Sequence, residues 1–176
     1  MILYLIGYRC TGKTTVGRAL ARRLGWPFTD TDQMIAATAG NSIARIVDRH
    51  GWPYFRQKER QALASVSEMD HQVVATGGGI VLDDRNVAIM KTSGRVTWLK
   101  AGRKTIEMRM LADDATAGNR PSLTGQGLME EIESVLSERR PLYEKAADLA
   151  LATDHEKIET LCDRIVAEFK ISELRD

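Results

Sequence analysis

The segment Gly7-Tyr8-Arg9-Cys10-Thr11-Gly12-Lys13-Thr14 constrains this chain more than any other. It fits G-x-x-x-x-G-K-[ST] at every defined position and lies between two stretches of different pattern. Ile2 to Ile6 form a continuous apolar run of buried-strand type, whereas Val16, Leu20 and Leu24 recur four apart, the spacing of a helix face. Strand, glycine-rich turn and helix N-terminus together make a cradle for phosphate. Backbone N–H groups wrap a triphosphate, the positive end of the helix faces it, and a lysine reaches its β and γ oxygens. In this pattern Thr14 offers a hydroxyl to Mg²⁺. The motif fixes a nucleotide but not an acceptor, because GTPases, ATPases and small-molecule kinases all share it.

The remaining chain alternates strand and helix. Gly25 and Trp26-Pro27 close the first helix, and residues 27–30 form a short extended piece. Helical periodicity is expected at about 32–39, 42–49 and 53–69, with Pro53 suited to a first turn. Residues 72–76 and 95–99 read as strands, and 103–111 as a helix. Between about 112 and 126 the chain is rich in Asp, Ala, Gly, Asn and Thr around Arg120-Pro121, which predicts a flap. A helix resumes to about residue 146 with a bend expected at Pro141, then a strand at 149–151 and an amphipathic helix at 155–170. Such alternation predicts a parallel sheet covered on both faces, a three-layer α/β fold, and a length of 176 residues suits a single domain over 1–176.

Composition removes several alternatives. Lys and Arg total 25 against 24 Asp and Glu, so no global charge favours nucleic acid or a membrane surface. The N-terminus carries neither a basic leader nor a cleavage site, and no apolar run approaches spanning length, which predicts a cytoplasmic protein. Cys10 and Cys162 give no disulfide framework and are expected as free thiols; His50, His71 and His155 form no metal spacing. The Trp26, Trp52 and Trp98 indoles are expected to pack, with Trp52 near enough to Arg56 to line an acceptor pocket.

On the acceptor side, Asp30 and Asp32 flank Thr31 at the end of the second strand, where residues two apart project to one side. One carboxylate can hold hydrated Mg²⁺ and the other can accept a hydrogen bond from an acceptor hydroxyl; Asp32 alternatively suits the N-cap of the next helix. Arg56 and Glu59 share a helix face, so the glutamate can orient a guanidinium fork that suits a carboxylate, or the two form a solvated pair. Gly77-Gly78-Gly79 directly after a strand indicates close backbone approach or a tight turn. Arg139 continues the apolar stripe of Leu128, Ile132, Val135 and Leu142 and needs an anionic partner, with Arg140 as its neighbour. Arg120, in the flap, would bring positive charge to the phosphates on closure.

Gly7 to Thr15, Phe28-Thr29-Asp30-Thr31-Asp32, Phe55-Arg56-x-x-Glu59, Thr76 to Gly79, Arg120-Pro121 and Arg139 to Tyr143 resemble the shikimate kinase family in order and spacing over nearly the whole chain. The flap Arg120 to Gly125 looks closest to that of the second bacterial isozyme. The resemblance implies a nucleoside-monophosphate-kinase-like fold with five parallel strands, a substrate-binding region at about 31–60 and a lid at about 112–126. It implies transfer of the γ-phosphoryl group of ATP to the 3-hydroxyl of shikimate by a monomer in aromatic amino acid biosynthesis. By the same resemblance Cys10, Thr11, Gly12, Lys13, Thr14, Thr15 and Arg120 hold ATP, Thr14 and Asp30 serve Mg²⁺, and Asp32, Arg56, Gly78 and Arg139 hold shikimate. Lys13, Asp32 and Arg120 are the catalytic candidates. Arg109 is a candidate for the adenine, and Arg9 has no assigned role. A kinase for gluconate or a nucleoside monophosphate would need other acceptor contacts, and intact Lys13, Thr14, Asp30, Asp32 and Arg120 argue against a regulatory module without turnover.

Overall fold

The computed structural model describes residues 1–112 and 127–171. Five strands, β1 (Ile2–Ile6), β2 (Phe28–Asp30), β3 (Gln72–Ala75), β4 (Gly94–Lys100) and β5 (Leu149–Ala152), pair in parallel in the order β2-β3-β1-β4-β5. Among the described residues the α-helices are α1 (Lys13–Leu24), α2 (Thr31–Ala39), α3 (Ile43–Ser67), α4 (Asp84–Ser93), α5 (Arg103–Leu111), α6 (Leu128–Ala146) and α7 (Ile158–Glu168), with a 3-10 turn at Ile80–Leu82. The expected five-stranded, three-layer α/β architecture is present.

The central strand shows why residues 2–6 carry no polar alternation. Ile2, Tyr4 and Ile6 pack with Leu63, Val66, Met90 and Tyr143 on one face, while Leu3 and Leu5 pack with Val16, Leu20, Leu161 and Ile165 on the other. A strand paired on both edges and covered on both faces has no side left for water. Because β1 lies between β3 and β4, the chain passes to one side of it after α1 and to the other after α4. The loops leaving β1, β2 and β3 therefore converge at one crevice beyond the carboxyl ends of the strands, the usual ligand position in open α/β sheets.

Local chemistry sets the boundaries around that crevice. Gly12 caps α1 in the left-handed region at φ 93°, which a side chain would resist. The N-cap of α2 is Asp30, whose Oδ1 accepts hydrogen bonds from the N–H groups of Asp32 and Gln33. This corrects the alternative that Asp32 caps the helix. Asp32 instead lies in the first helical turn, so helix geometry, and not strand alternation, sets its direction relative to Asp30. The α3 region breaks at Gly51, with φ 79° and ψ 167°, into segments that match the two helices read from sequence. Ser42 caps the first segment through Arg45 N–H, and Pro53 falls in the opening turn of the second.

One difference from the sequence reading has a local cause. Helix α4 was not anticipated, because only Asn86 and Met90 of its ten residues are buried and its apolar periodicity is correspondingly weak. Its start is nonetheless marked by Asp83, which accepts from Arg85 N–H as the N-cap. Helix α6 continues as one element through Pro141 to Ala146. The expected lid, including Arg120, lies outside the described residues apart from Ala112.

Candidate active site

The loop between β1 and α1 is closed by its own side chains. Lys13 Nζ donates to the Gly7 carbonyl at 2.8 Å and the Tyr8 carbonyl at 2.7 Å, and Thr11 Oγ1 donates to the same Tyr8 carbonyl at 2.8 Å. Lys13, Thr14 and Thr15 form the first turn of α1, so the ammonium, a hydroxyl and the positive end of the helix share the mouth of the loop. Thr14 Oγ1 donates to Asp30 Oδ2 at 2.9 Å. Asp30 thus uses one oxygen to start α2 and the other to meet the phosphate loop.

Beside this loop lies a cleft with an empty volume of about 460 Å³, lined by Asp32, Arg56, Glu59, Arg139 and the Gly77–Gly79 turn. The two sites are contiguous, since a Cβ built on Gly78 would stand 3.4 Å from the Gly7 carbonyl oxygen. Thr31 anchors the turn to α2 by accepting from Gly77 N–H at 3.3 Å. A side chain on either glycine beside Gly78 would displace the groups that rest there. A Cβ on Gly77 would stand 2.4 Å from Glu59 Oε1 and 2.6 Å from Asp32 Oδ1, and one on Gly79 would stand 2.2 Å from Arg56 Nη1. The triple glycine is therefore a floor on which two carboxylates and one guanidinium rest.

Arg56 is fixed from several directions. It pairs with Glu59 and lies over the Trp52 ring at 5.1 Å and the Phe55 ring at 5.6 Å. Glu59 is fully buried, which excludes the solvated-pair alternative. Burial pushes the Glu59 carboxyl up to about 7, against the opposing pull of Arg56, and the neighbouring Asp32 charge adds to the rise. Arg139, 7% exposed, donates through Nη1 to the Gly78 carbonyl at 3.2 Å, where the Tyr143 hydroxyl also donates. Its Nε is buried without a hydrogen-bond partner among the described residues, as is Glu59 Oε1. Arg140 points elsewhere, to Glu144 on the surface.

Some contacts were not legible from spacing. Arg9 lines the same cleft, donates to the Tyr8 hydroxyl through Nε at 3.2 Å and pairs with Glu131 in the first turn of α6. Arg109 donates to the Cys10 carbonyl and to Thr153 beyond β5. Both join segments about a hundred residues apart, and no local pattern reports such a meeting. Trp52 does line the cleft, while Trp98 stacks on Tyr143 at a centroid distance of 5.6 Å as a packing group. Cys10 is partly buried and Cys162 buried, and the two are not joined in a disulfide.

Thr14 Oγ1 and Asp30 Oδ2, adjacent hard oxygen atoms beside the phosphate loop, are the donor type Mg²⁺ takes, since it retains most of its waters and adds one or two carboxylates. Two guanidinium groups suit a planar carboxylate, and Asp32 can accept from a hydroxyl. Fold and site together define a P-loop kinase of nucleoside-monophosphate-kinase-like architecture acting on a small acceptor.

The shikimate kinase family model matches residues 9–170. A shikimate kinase of Syntrophus aciditrophicus (strain SB) is 40% identical over 96% of this chain and 90% of its own length. Shikimate kinase 2 of Dickeya chrysanthemi is 40% identical over 92% of each chain. The structure of shikimate kinase from Acinetobacter baumannii in complex with shikimate aligns with a TM-score of 0.89 at 30% identity, covering 99% of this chain and 95% of that one. The chain belongs to the shikimate kinase family.

Proposed function

We propose that the protein transfers the γ-phosphoryl group of ATP to the 3-hydroxyl of shikimate, giving shikimate 3-phosphate and ADP for aromatic amino acid biosynthesis. One observation carries the assignment of the acceptor: Arg56, Arg139 and Asp32 line a single cleft that abuts the Gly7 end of the phosphate loop. In this reading the acceptor carboxylate lies between the Arg56 and Arg139 guanidinium groups, and the Gly78 backbone and Asp32 meet the ring hydroxyls. Asp32 aligns the 3-hydroxyl for in-line attack and accepts its hydrogen bond. Positioning outweighs proton removal, because a loose phosphoryl transition state demands little of a base.

On the nucleotide side, Cys10 to Thr15 wrap the phosphates and Lys13 swings from the Gly7 and Tyr8 carbonyls to the β and γ oxygens. Thr14 and Asp30 would hold Mg²⁺, which when bound neutralises charge between the β- and γ-phosphates. Arg120, from a lid at about 112–126, is assigned to the transferring group, where it adds charge and helps exclude water. The whole of 1–176 is taken as one domain, with acceptor recognition at about 31–60. It is assigned to the cytoplasm as a monomer without nucleic-acid partners; no helix among the described residues is long and apolar enough to cross a membrane.

The test is ADP release from Mg-ATP with shikimate, quinate, gluconate or nucleoside monophosphates. Stimulation by shikimate alone is expected, lost in turnover on Lys13→Met and in shikimate affinity on Arg56→Ala or Arg139→Ala. ATP binding without shikimate-dependent ADP release would overturn the proposal.

A further inference from the structure

The phosphate loop contains a residue that does not favour its own backbone conformation. Cys10 has φ 59°, in the left-handed region that side-chain-bearing residues avoid. Such a conformation persists only where the surroundings hold it. The two peptides that follow this point are gripped from outside the loop. Arg109 Nη1, from the last turns of α5, donates to the Cys10 carbonyl at 3.2 Å. The same nitrogen donates to Thr153 Oγ1 at 3.1 Å, and Nη2 donates to the Thr153 carbonyl at 2.7 Å. Thr153 Oγ1 in turn donates to the Thr11 carbonyl at 3.1 Å. Thr153 is 4% exposed and Thr11 1%, so the bond between them is shielded from water, while those of Arg109 are partly buried.

The arrangement is a chain: guanidinium, buried hydroxyl, loop carbonyl. Thr153 follows β5 on the edge of the sheet and is itself fixed by its N–H bond to the Lys100 carbonyl at 2.8 Å. The loop is thereby tied to two rigid elements, β4 and β5, that do not touch phosphate. Turning the Cys10 and Thr11 carbonyls outward toward these donors leaves the amide edges of the loop facing the phosphate side, as a nest for anions requires.

We propose that Arg109 and Thr153 are positioning residues that hold the phosphate loop in its triphosphate-accepting shape through the Cys10 and Thr11 carbonyls. The inference rests on reading Gly7–Thr14 as a nucleotide site and assigns residues outside that motif to its upkeep. It differs from an adenine contact in what it affects: a brace acts on any polyphosphate, whereas a base contact acts on ATP alone.

The test measures binding of ATP and of inorganic tripolyphosphate, each with Mg²⁺, by calorimetry on the full chain. Thr153→Val removes the hydroxyl at nearly constant volume. Its Kd for both ligands should rise by about tenfold, the scale of one buried hydrogen bond left unmade, with shikimate affinity within twofold of wild type. Thr153→Ser, which keeps the hydroxyl, should stay within twofold throughout and guards against a packing or folding effect. Cys10→Gly supplies the decisive arm. Glycine enters the left-handed region freely, so in that background Thr153→Val should cost less than about threefold. Loss of ATP affinity with tripolyphosphate unchanged would overturn the brace in favour of a base contact. An undiminished penalty in the Cys10→Gly background, or no penalty in either ligand, would also overturn it. A wild type that binds neither ligand would remove the nucleotide reading itself, and the inference with it.

Discussion

Gly79→Ala should separate acceptor binding from everything else the molecule does. The added Cβ would lie 2.2, 2.3 and 2.4 Å from Nη1, Nη2 and Cζ of Arg56, whereas comfortable contact needs about 3.5 Å. The guanidinium must therefore retreat by roughly 1 Å, enough to break a charge-assisted bond to a bound carboxylate. Such a bond is worth about 2 kcal/mol, which corresponds to an increase of about thirtyfold in the KM for shikimate. The colliding group is the end of a flexible side chain and is 23% exposed, so the clash costs little stability and Tm should move by no more than about 4 °C. Coupled ADP release, with shikimate varied at saturating Mg-ATP and then the reverse, checks both sides. A shikimate KM within twofold of wild type, or an equal rise in the KM for ATP, would refute the assignment of Arg56 to the acceptor carboxylate.

Two further outcomes concern stability. Glu59, raised from 4.5 to about 7, takes up a proton on folding between those values, so its contribution to stability is fully present below about 4.5 and is lost as pH rises through 7. Urea unfolding should show wild type losing on the order of 3 kcal/mol relative to Glu59→Gln between pH 4.5 and 8, and a constant difference would contradict the buried-carboxyl account. Gly17→Ala would place a Cβ 2.5 Å from Phe28 Cε2 and 3.1 Å from Leu5 Cδ1, against neighbours packed between α1 and the sheet. A loss of about 2 kcal/mol, or roughly 4–8 °C in Tm, is expected with both KM values unchanged.

What the sequence disclosed depended on how local each signal was. β1 and α1 were legible because strand, loop and helix are consecutive and the motif demands that context. The two parts of α3 were legible because Ser42 and Pro53 mark their starts and Gly51 interrupts the period. Helix α4 escaped because Asn86 stands where an apolar residue would complete the stripe; its amide donates to the Ile80 carbonyl. Arg139 was found through a charge on an apolar face, and its burial bears out that logic. The carboxylate pair was found for an incomplete reason, since Asp30 ends a strand and Asp32 lies in the first turn of a helix. Arg9–Glu131 and Arg109–Thr153 were invisible because their partners are distant in sequence and the residue types are unremarkable on a surface.

The distribution of the proposed acceptor contacts along the chain has a consequence for transplanting specificity. Asp32, Arg56, Glu59 and the Gly77–Gly79 floor all fall within about fifty consecutive residues between β2 and the turn after β3, an uninterrupted stretch that could be exchanged between related kinases as one cassette. Arg139 does not travel with it. It belongs to α6 and reaches the cleft by holding the Gly78 carbonyl, so a grafted cassette would arrive with its floor unclamped unless the host helix supplied an arginine at the same place. On the proposed reading, acceptor preference in such chimeras has two inheritances, one contiguous and one remote, and changing either alone leaves Arg56 or Arg139 without the other.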